Sequence, residues 1–315
     1  MSRFVVWGEA LIDLVPAPGV PDTFSSPWQA QTAGGPLNTA IALARLGRTV
    51  EFCGPLSTDA FGRQMRSHLL AAGVGAELAP TVAAPTALAV VSLDRAGKAS
   101  YHFHTTDTAT FDLTAESLPV LTTDDWLHVA SLALVVRPGA DTARAWATAQ
   151  PTRLSIDVNV RPAMLSDPAE YWRRLEPWVQ LLGERGGLLK GSDEDFDFLA
   201  AGAGLASGRE LVAQLVDTSG VGCGVVTRGP DGAEAFTRTT GWVDAPGRTR
   251  EVVDTVGAGD TFTAGFLDVY ADAPAVDEAG LTVALQRGIA ASALVVSRRG
   301  AQPPTATEVD RLLAE

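Results

Sequence analysis

Short apolar runs alternate with amphipathic ones along the 315 residues of this chain, and that alternation limits its possible folds more than any other feature. Runs of strand type lie at 3–8, 49–54, 126–130, 153–158, 187–190 and 222–227. Apolar residues at helical spacing follow or separate them at 37–46, 59–72, 139–149, 168–182, 193–200, 207–216, 259–271 and 276–297. Strands joined through helices return in the same direction, so an α/β architecture with a mainly parallel central sheet flanked by helices is expected. No linker or internal repeat divides the chain, and a single domain over 1–315 is expected.

Two segments, 11–32 and 85–107, carry β-type runs with no helix between them. In the second, Thr86–Leu93 and Ala99–Thr105 flank Asp94-Arg95-Ala96-Gly97-Lys98, a hairpin signal. A small sheet built from both excursions is a candidate lid, the device that keeps water from a reactive group.

Composition removes several classes of function. A net charge of −13 argues against nucleic acid, whose phosphates demand a basic face. Neither G-x-x-x-x-G-K-[ST] nor a G-x-G-x-x-G after the first strand is present, which argues against a P-loop kinase and a dinucleotide-dependent dehydrogenase. His102 and His104 share a strand face, but no third ligand is spaced to complete a zinc site. No apolar run approaches the roughly 18 residues that span a bilayer. The N-terminus enters the strand-like Arg3-Phe4-Val5-Val6-Trp7-Gly8 rather than a secretory signal. Cys53 and Cys223 lie in apolar surroundings and read as buried thiols. The expected compartment is the cytoplasm.

The stretch richest in chemistry is Asp254-Thr255-Val256-Gly257-Ala258-Gly259-Asp260, running into Thr261-Phe262-Thr263-Ala264-Gly265-Phe266. Small residues at 257–259 let backbone N–H groups converge on a ligand at the start of a helix, where the dipole favours an anion. Asp260 on the first turn is then a base beside an anion hole, a pairing suited to phosphoryl transfer to a hydroxyl. A Gly-rich turn with an N-capping Asp is the plainer alternative.

D-T-x-G-A-G-D-x-F-x-x-G-F resembles the C-terminal signature of the ribokinase-like, or PfkB, carbohydrate kinases. Near the other end, Ala33-Gly34-Gly35-Pro36-Leu37-Asn38, leading to Arg45-Leu46-Gly47, resembles the N-terminal Gly-Gly signature, with Ala33 where the first glycine is usual. The resemblance covers essentially the whole chain. It implies a three-layer ribokinase-like fold with a β-sheet lid, ATP and Mg²⁺, a small carbohydrate acceptor, and pairing of two copies through the lid. It also implies roles. Asp260 would be the base, with Gly257, Ala258, Gly259 and Arg161 holding the developing charge. Asp13, Gly34, Gly35, Asn38, Asn159 and Phe103 would hold the sugar.

Asp157-Val158-Asn159-Val160-Arg161 resembles a motif of the fructokinase and 2-keto-3-deoxygluconate kinase branches; strand alternation would put its three polar side chains on one face, and an Asp157–Arg161 salt bridge is the structural alternative. Lys190-Gly191-Ser192-Asp193-Glu194-Asp195 resembles the family's K-x-N-x-x-E, with Ser192 and Asp195 standing for Asn and Glu. Lys190 and Ser192 would then serve the nucleotide and Asp195 the Mg²⁺ through water, while a helix N-cap explains Ser192 and its acids equally well. Thr227, Arg228, Gly229 and Gly232 resemble the turn that lines the nucleotide. In relatives the loop resembled by Gly300-Ala301-Gln302-Pro303 surrounds a monovalent cation such as K⁺. Asp254 and the carbonyls of Val256, Val295, Arg298 and Gly300 would form that site here. Fructose is the favoured acceptor, with 2-keto-3-deoxygluconate, ribose or a nucleoside as alternatives, the last on an aromatic platform of Phe103, Tyr101 and Trp28. A non-catalytic sugar or nucleotide sensor is the alternative of another class.

Overall fold

The computed structural model describes residues 2–17, 25–93, 99–273 and 277–315. The Asp94–Lys98 turn and the first residue of the helix expected at 276–297 lie outside the described residues. Strand β1 (Arg3–Trp7) leads into β2 (Leu11–Pro16) and β3 (Trp28–Ala33), then helix α1 (Gly35–Arg45) and β4 (Val50–Phe52). Next come β5 (Leu56–Ser57), α2 (Ala60–Ala71), β6 (Thr81–Val82), β7 (Leu88–Leu93) and β8 (Ala99–His104). A run of alternating elements follows: β9 (Asp125–Ala130), α3 (Gly139–Ala149), β10 (Arg153–Asp157), α4 (Pro168–Glu184) and β11 (Leu188–Ser192). The rest comprises α5 (Asp193–Ala203), α6 (Gly208–Ser219), β12 (Cys223–Thr227), β13 (Ala233–Thr237), β14 (Gly241–Ala245), α7 (Ala258–Tyr270), α8 (Glu278–Val295) and α9 (Ala306–Ala314).

The large sheet has the order β14-β13-β12-β11-β10-β9-β1-β4. Every pairing from β12 to β4 is parallel, whereas β13 and β14 add an antiparallel edge. That edge hairpin and α9 are elements the strand and helix patterns did not mark. Alternation along β1 sends Phe4 and Val6 to one face and Val5 and Trp7 to the other. The first face is covered by apolar residues of α1, α2, α7, α8 and α9, the second by those of α3 to α6. Trp7 stacks on Trp178 of α4 with ring centroids 6.4 Å apart, and both are fully buried.

Helix starts follow their side chains. Asp59 accepts from Gly62 N–H ahead of α2, and Ser192 with Asp195 forms a reciprocal capping box on α5. α7 and α8 cross closely: a Cβ on Gly265 would fall 2.9 Å from the Gly288 Cα, and one on Gly288 2.9 Å from Phe262. The far end of α7 is clamped where Asp268 takes Arg48 Nε and Arg287 Nε, each at 2.5 Å.

A second sheet, β3-β2-β7-β8, is formed by the two segments at 11–32 and 85–107. The pairing of Asp13 with Gln31 and Ala89, and of Ala89 with Phe103, puts these four on one face. Trp28 pairs with Pro16 on the opposite face and is 46% exposed, so it does not share the platform expected with Phe103 and Tyr101. Those two rings do stack, 6.2 Å apart.

The Trp7–Trp178 contact joins β1 to its covering helix, and truncating a buried Trp costs about 3–5 kcal/mol. Trp178→Ala is therefore expected to lower the urea midpoint markedly while leaving the far-ultraviolet circular dichroism of the folded protein unchanged. An unchanged midpoint would mean that α4 contributes little to the core.

Candidate active site

The carboxyl ends of the parallel strands converge, and the chain runs from β1 to β4 on one side and returns to β9 on the other. Such a reversal opens a crevice in which α/β sheets bind ligands. Glu9 follows β1, Ser131 follows β9, Asn159 and Arg161 follow β10, Ser192 ends β11 and Thr227 ends β12.

The start of α1 and the start of α7 meet at this end. Asp260, on the first turn of α7, is 8% exposed, and its Oδ2 accepts a 2.9 Å hydrogen bond from Asn38 Nδ2. Gly35 lies against Asn159 and Asp260: a Cβ there would fall 2.7 Å from Asn159 Nδ2 and 3.2 Å from Asp260 Oδ1. Gly34, with φ of 124°, lets the chain pass Glu9, whose carbonyl oxygen would be 2.4 Å from a Cβ. Burial pushes the Asp260 carboxyl up to about 6; Asn38 pulls it down, Asp157 raises it, and Lys190 and Arg161 lower it. Asp13 is likewise raised to about 6 by burial, with Arg161 opposing.

Gly257 adopts φ of 77° immediately before α7, which opens with no side-chain cap on its first N–H groups. A Cβ on Gly259 would lie 3.1 Å from Lys190 Nζ, so the absent side chain brings an ammonium to the helix start. Lys190 is 4% exposed and bonds Asp157 Oδ2 at 2.8 Å; Thr263 Oγ1 donates to the same oxygen at 2.9 Å. The salt bridge considered between Asp157 and Arg161 is not formed, because Asp157 faces its parallel neighbour Lys190. The strand ends at Asp157, and Asn159 turns with φ of 36°, so a bend and not strand alternation sets the directions of Asn159 and Arg161. Among the described residues Arg161 makes no ion pair within 4 Å, and its guanidinium bonds the Val160 carbonyl.

Ser192 caps α5, and each oxygen of Asp195 accepts one backbone N–H, from Val160 and from Ser192, both at 2.9 Å. Asp195 thereby ties the 158–161 turn to α5. The Thr227 hydroxyl bonds the Gly191 carbonyl at 3.4 Å, and Arg228, Gly229 and Gly232 form the turn between β12 and β13. The guanidinium of Arg228 is committed to Asp244 and Glu234. Asp254 accepts from Val256 N–H at 3.1 Å and Gly300 N–H at 2.8 Å, joining the approach to α7 to the 295–302 loop. The Val295 and Gly300 carbonyls accept from Arg298 and Gln302 N–H groups. Among the described residues no group of three or more His, Cys, Asp or Glu side chains could by itself hold a metal ion. No helix there is long and apolar enough to cross a membrane.

Sequence reasoning passed over Glu9, Ser131 and Thr263. The first carries a readable signal, an acid directly after an apolar strand. The other two become visible only with the neighbours the fold supplies.

Residues 1–308 match the model of the pfkB family carbohydrate kinases. A fructokinase of Rhizobium leguminosarum bv. trifolii is 33% identical over 82% of this chain and 77% of its own. The structure of a Xylella fastidiosa fructokinase with bound ATP superposes with a TM-score of 0.85 at 28% identity, covering 99% of this chain and 98% of that one. A Vibrio cholerae fructokinase in its fructose, ADP and calcium-bound form gives 0.81 at 29% identity, over 100% and 98% of the two chains. A carboxylate and an uncapped helix start, brought together by two distant glycine motifs, thus sit on a fold shared with sugar kinases: the chain belongs to the pfkB family of carbohydrate kinases.

Proposed function

We propose that this carbohydrate kinase transfers the γ-phosphate of ATP to a hydroxyl of fructose, with Asp260 as the base. The observation that carries the role of Asp260 is its burial at the open start of α7, against Asn38 and Gly35. The relatives named fructokinases support fructose, with 2-keto-3-deoxygluconate, ribose and nucleosides as the acceptors to compare. Asp13, Gly34, Gly35, Asn38, Asn159 and Phe103 form the sugar side, with the small sheet as its lid. The 227–232 turn lines the nucleotide, whose phosphates reach the N–H groups of 257–259 and the cations of Lys190 and Arg161. Asp195, which keeps a lone pair on each oxygen beside its two backbone N–H bonds, would face a nucleotide-bound Mg²⁺ through water, and such an ion would supply charge to shield the phosphate oxygens.

The order of events follows from the electrostatics. Asp260 accepts the proton of the attacking hydroxyl, which its raised pKa favours near neutral pH. Because it must be ionised, kcat/KM falls as pH drops below about 6. The donors at the start of α7 are fixed before the reaction and meet the charge as it develops. Two buried thiols outside any disulfide, Cys53 and Cys223, accord with a reducing cytoplasm. Pairing of two copies across the outer lid face, where Trp28 is exposed, completes the reading.

A panel of fructose, 2-keto-3-deoxygluconate, ribose and adenosine, read by ADP release, tests the acceptor. Fructose should give the highest kcat/KM; another sugar in first place would replace it. Asp260→Asn should reduce fructose turnover by roughly 100-fold or more while ATP still binds. The same variant has a stability signature. A carboxyl raised from 3.8 to about 6 by folding costs about 3 kcal/mol once ionised. That cost develops as pH rises from 3.8 to 6, so the variant should melt higher than wild type at pH 8, with the gap closing toward pH 4. Equal turnover or an inverted gap would remove Asp260 from the base role.

Gly259→Val would fill the space beside Lys190 Nζ and should weaken ATP binding in calorimetry at least tenfold; unchanged affinity would move the phosphates elsewhere. Asp254 and the carbonyls of Val256, Val295, Arg298 and Gly300 retain lone pairs for a monovalent cation, which would stiffen the approach to α7. Replacing a bulky organic cation by K⁺ at constant ionic strength should raise the rate, and Asp254→Ala should abolish that response. Identical rates of the wild type in both salts would discard the ion site and leave the kinase reading intact.

A further inference from the structure

Lys190 is one of two lysines in the sequence, and every other strongly basic position is arginine. The second, Lys98, lies outside the described residues. Arginine supplies the buried ion pairs elsewhere, as Arg48 and Arg287 do at Asp268. A lysine at position 190 puts a compact charge on a flexible four-carbon stem, which a planar guanidinium does not replace. That stem is also the weakness of the arrangement. The backbone of Lys190 is fixed by its pairing with Asp157 and by the Val158 N–H on its carbonyl at 2.9 Å. The ammonium at the far end must be held by something else.

Asp157 holds it from one side. Its Oδ2 takes both the Lys190 ammonium at 2.8 Å and the Thr263 hydroxyl at 2.9 Å, while its Oδ1 is buried with no hydrogen-bond partner. A buried ion pair with a bare oxygen stabilises a fold less than apolar residues of the same volume often would, so stability alone does not account for it. A carboxylate loaded on one oxygen can turn about its Cβ–Cγ bond, and the ammonium would turn with it. The bond from Thr263 opposes that turn. The single proton of this hydroxyl has two acceptors in reach, Asp157 Oδ2 at 2.9 Å and the Gly259 carbonyl at 3.0 Å. Distance does not separate them, but charge does: a bond to an ionised acceptor is roughly twice as strong as one to a neutral carbonyl. Thr263 stands one turn beyond Gly259 on α7, and a Cβ on Gly259 would fall 3.1 Å from Lys190 Nζ. The helix whose start faces the ammonium thus also carries the group that fixes the carboxylate.

We propose that Thr263 is a positioning residue: through Asp157 it holds the Lys190 ammonium at the start of α7, ready for the nucleotide phosphates. This rests on the kinase reading, which brings phosphates to Lys190. Thr263 is itself buried and acts through the carboxylate. Without its hydroxyl the carboxylate turns, the ammonium follows, and the charge must be ordered again each time a nucleotide binds.

Thr263→Val keeps the branched shape and removes the proton, whereas Thr263→Ser keeps the proton. The valine variant should weaken ATP binding in calorimetry about fivefold, with the KM for the sugar acceptor within about twofold of wild type, and the serine variant should recover most of the affinity. In a Lys190→Met background the valine change should cost nothing further. Unchanged ATP affinity in Thr263→Val, an equal rise in the sugar KM, a serine variant as weak as the valine one, or the same loss without Lys190 would each overturn the proposal. Magnetic resonance gives a reading that needs no nucleotide. Lysine labelled with carbon-13 at Cε yields signals from only two residues of this chain, and Lys190→Met assigns one of them. The two Hε protons of Lys190 should have separate shifts in the wild type, and Thr263→Val should merge them. Shifts merged already in the wild type, or separate in both proteins, would overturn the proposal whatever the affinities. If Lys190→Met binds ATP as wild type does, the phosphates lie elsewhere and that part of the kinase reading fails, while the Hε shifts still decide whether Thr263 holds the ammonium.

Discussion

One hydrogen bond, from Asn38 to Asp260 across 222 residues of sequence, joins the two halves of the site. It is made inside the protein, where each partner would be costly alone. Asn38 stands on the first turns of α1, anchored by its N–H to the Gly34 carbonyl at 2.9 Å. Asp260 stands on the first turn of α7. Gly35, with no side chain, leaves room beside it for the Asp260 carboxylate and for Asn159. The glycine motif near residue 34 and the carboxylate near residue 260 are therefore two sides of one packing arrangement, and the approach of α1 to α7 sets the width of the crevice.

Around this bond the charges are graded by depth. Lys190 is held below the start of α7 by Asp157, which also receives the Thr263 hydroxyl, so the ammonium is steered by two elements at once. Arg161 is nearer the opening and has a fixed backbone with a less constrained head. A deep cation fixed by its partners provides a constant field, whereas an outer one can follow a ligand. The three raised carboxyls, Glu9, Asp13 and Asp260, all owe their shift first to burial, and Arg161 opposes it in each. This end of the sheet is thus kept nearer neutrality than a chain of net charge −13 would suggest.

The parallel sheet was legible because its strands are buried on both faces and its helices carry one apolar stripe, two periods that differ clearly. The hairpin of β13 and β14 was not, since Gly241-Trp242-Val243-Asp244-Ala245 lies on the antiparallel edge, where burial imposes less pattern. Within the site, Asp260, Asn38 and the glycines were legible because a motif brings the spacing with it. The partner of Asp157 was not. Two residues apart in sequence suggests one strand face, but the strand stops at Asp157 and Asn159 bends away, while Lys190 is set opposite by register. Pairing between neighbouring strands is a property of the fold, and no local spacing announces it.

The junction between the start of α7 and the loop near residue 300 bears on how the protein is made. A Cβ on Gly257 would lie 2.8 Å from that of Ala301, and Asp254 binds Gly300 N–H, so the wall behind the helix start is supplied by a segment some forty residues later in synthesis. On the ribosome α1 and the strands of the small sheet are synthesised long before this wall. The helix start must wait, with its N–H groups unsupported, until the chain beyond Ala301 has emerged and folded back. A nascent chain can thus form the glycine turn and α1 early, whereas the start of α7 is braced only after the segment around residues 300–301 has been made, so the two walls of the crevice are completed at different times.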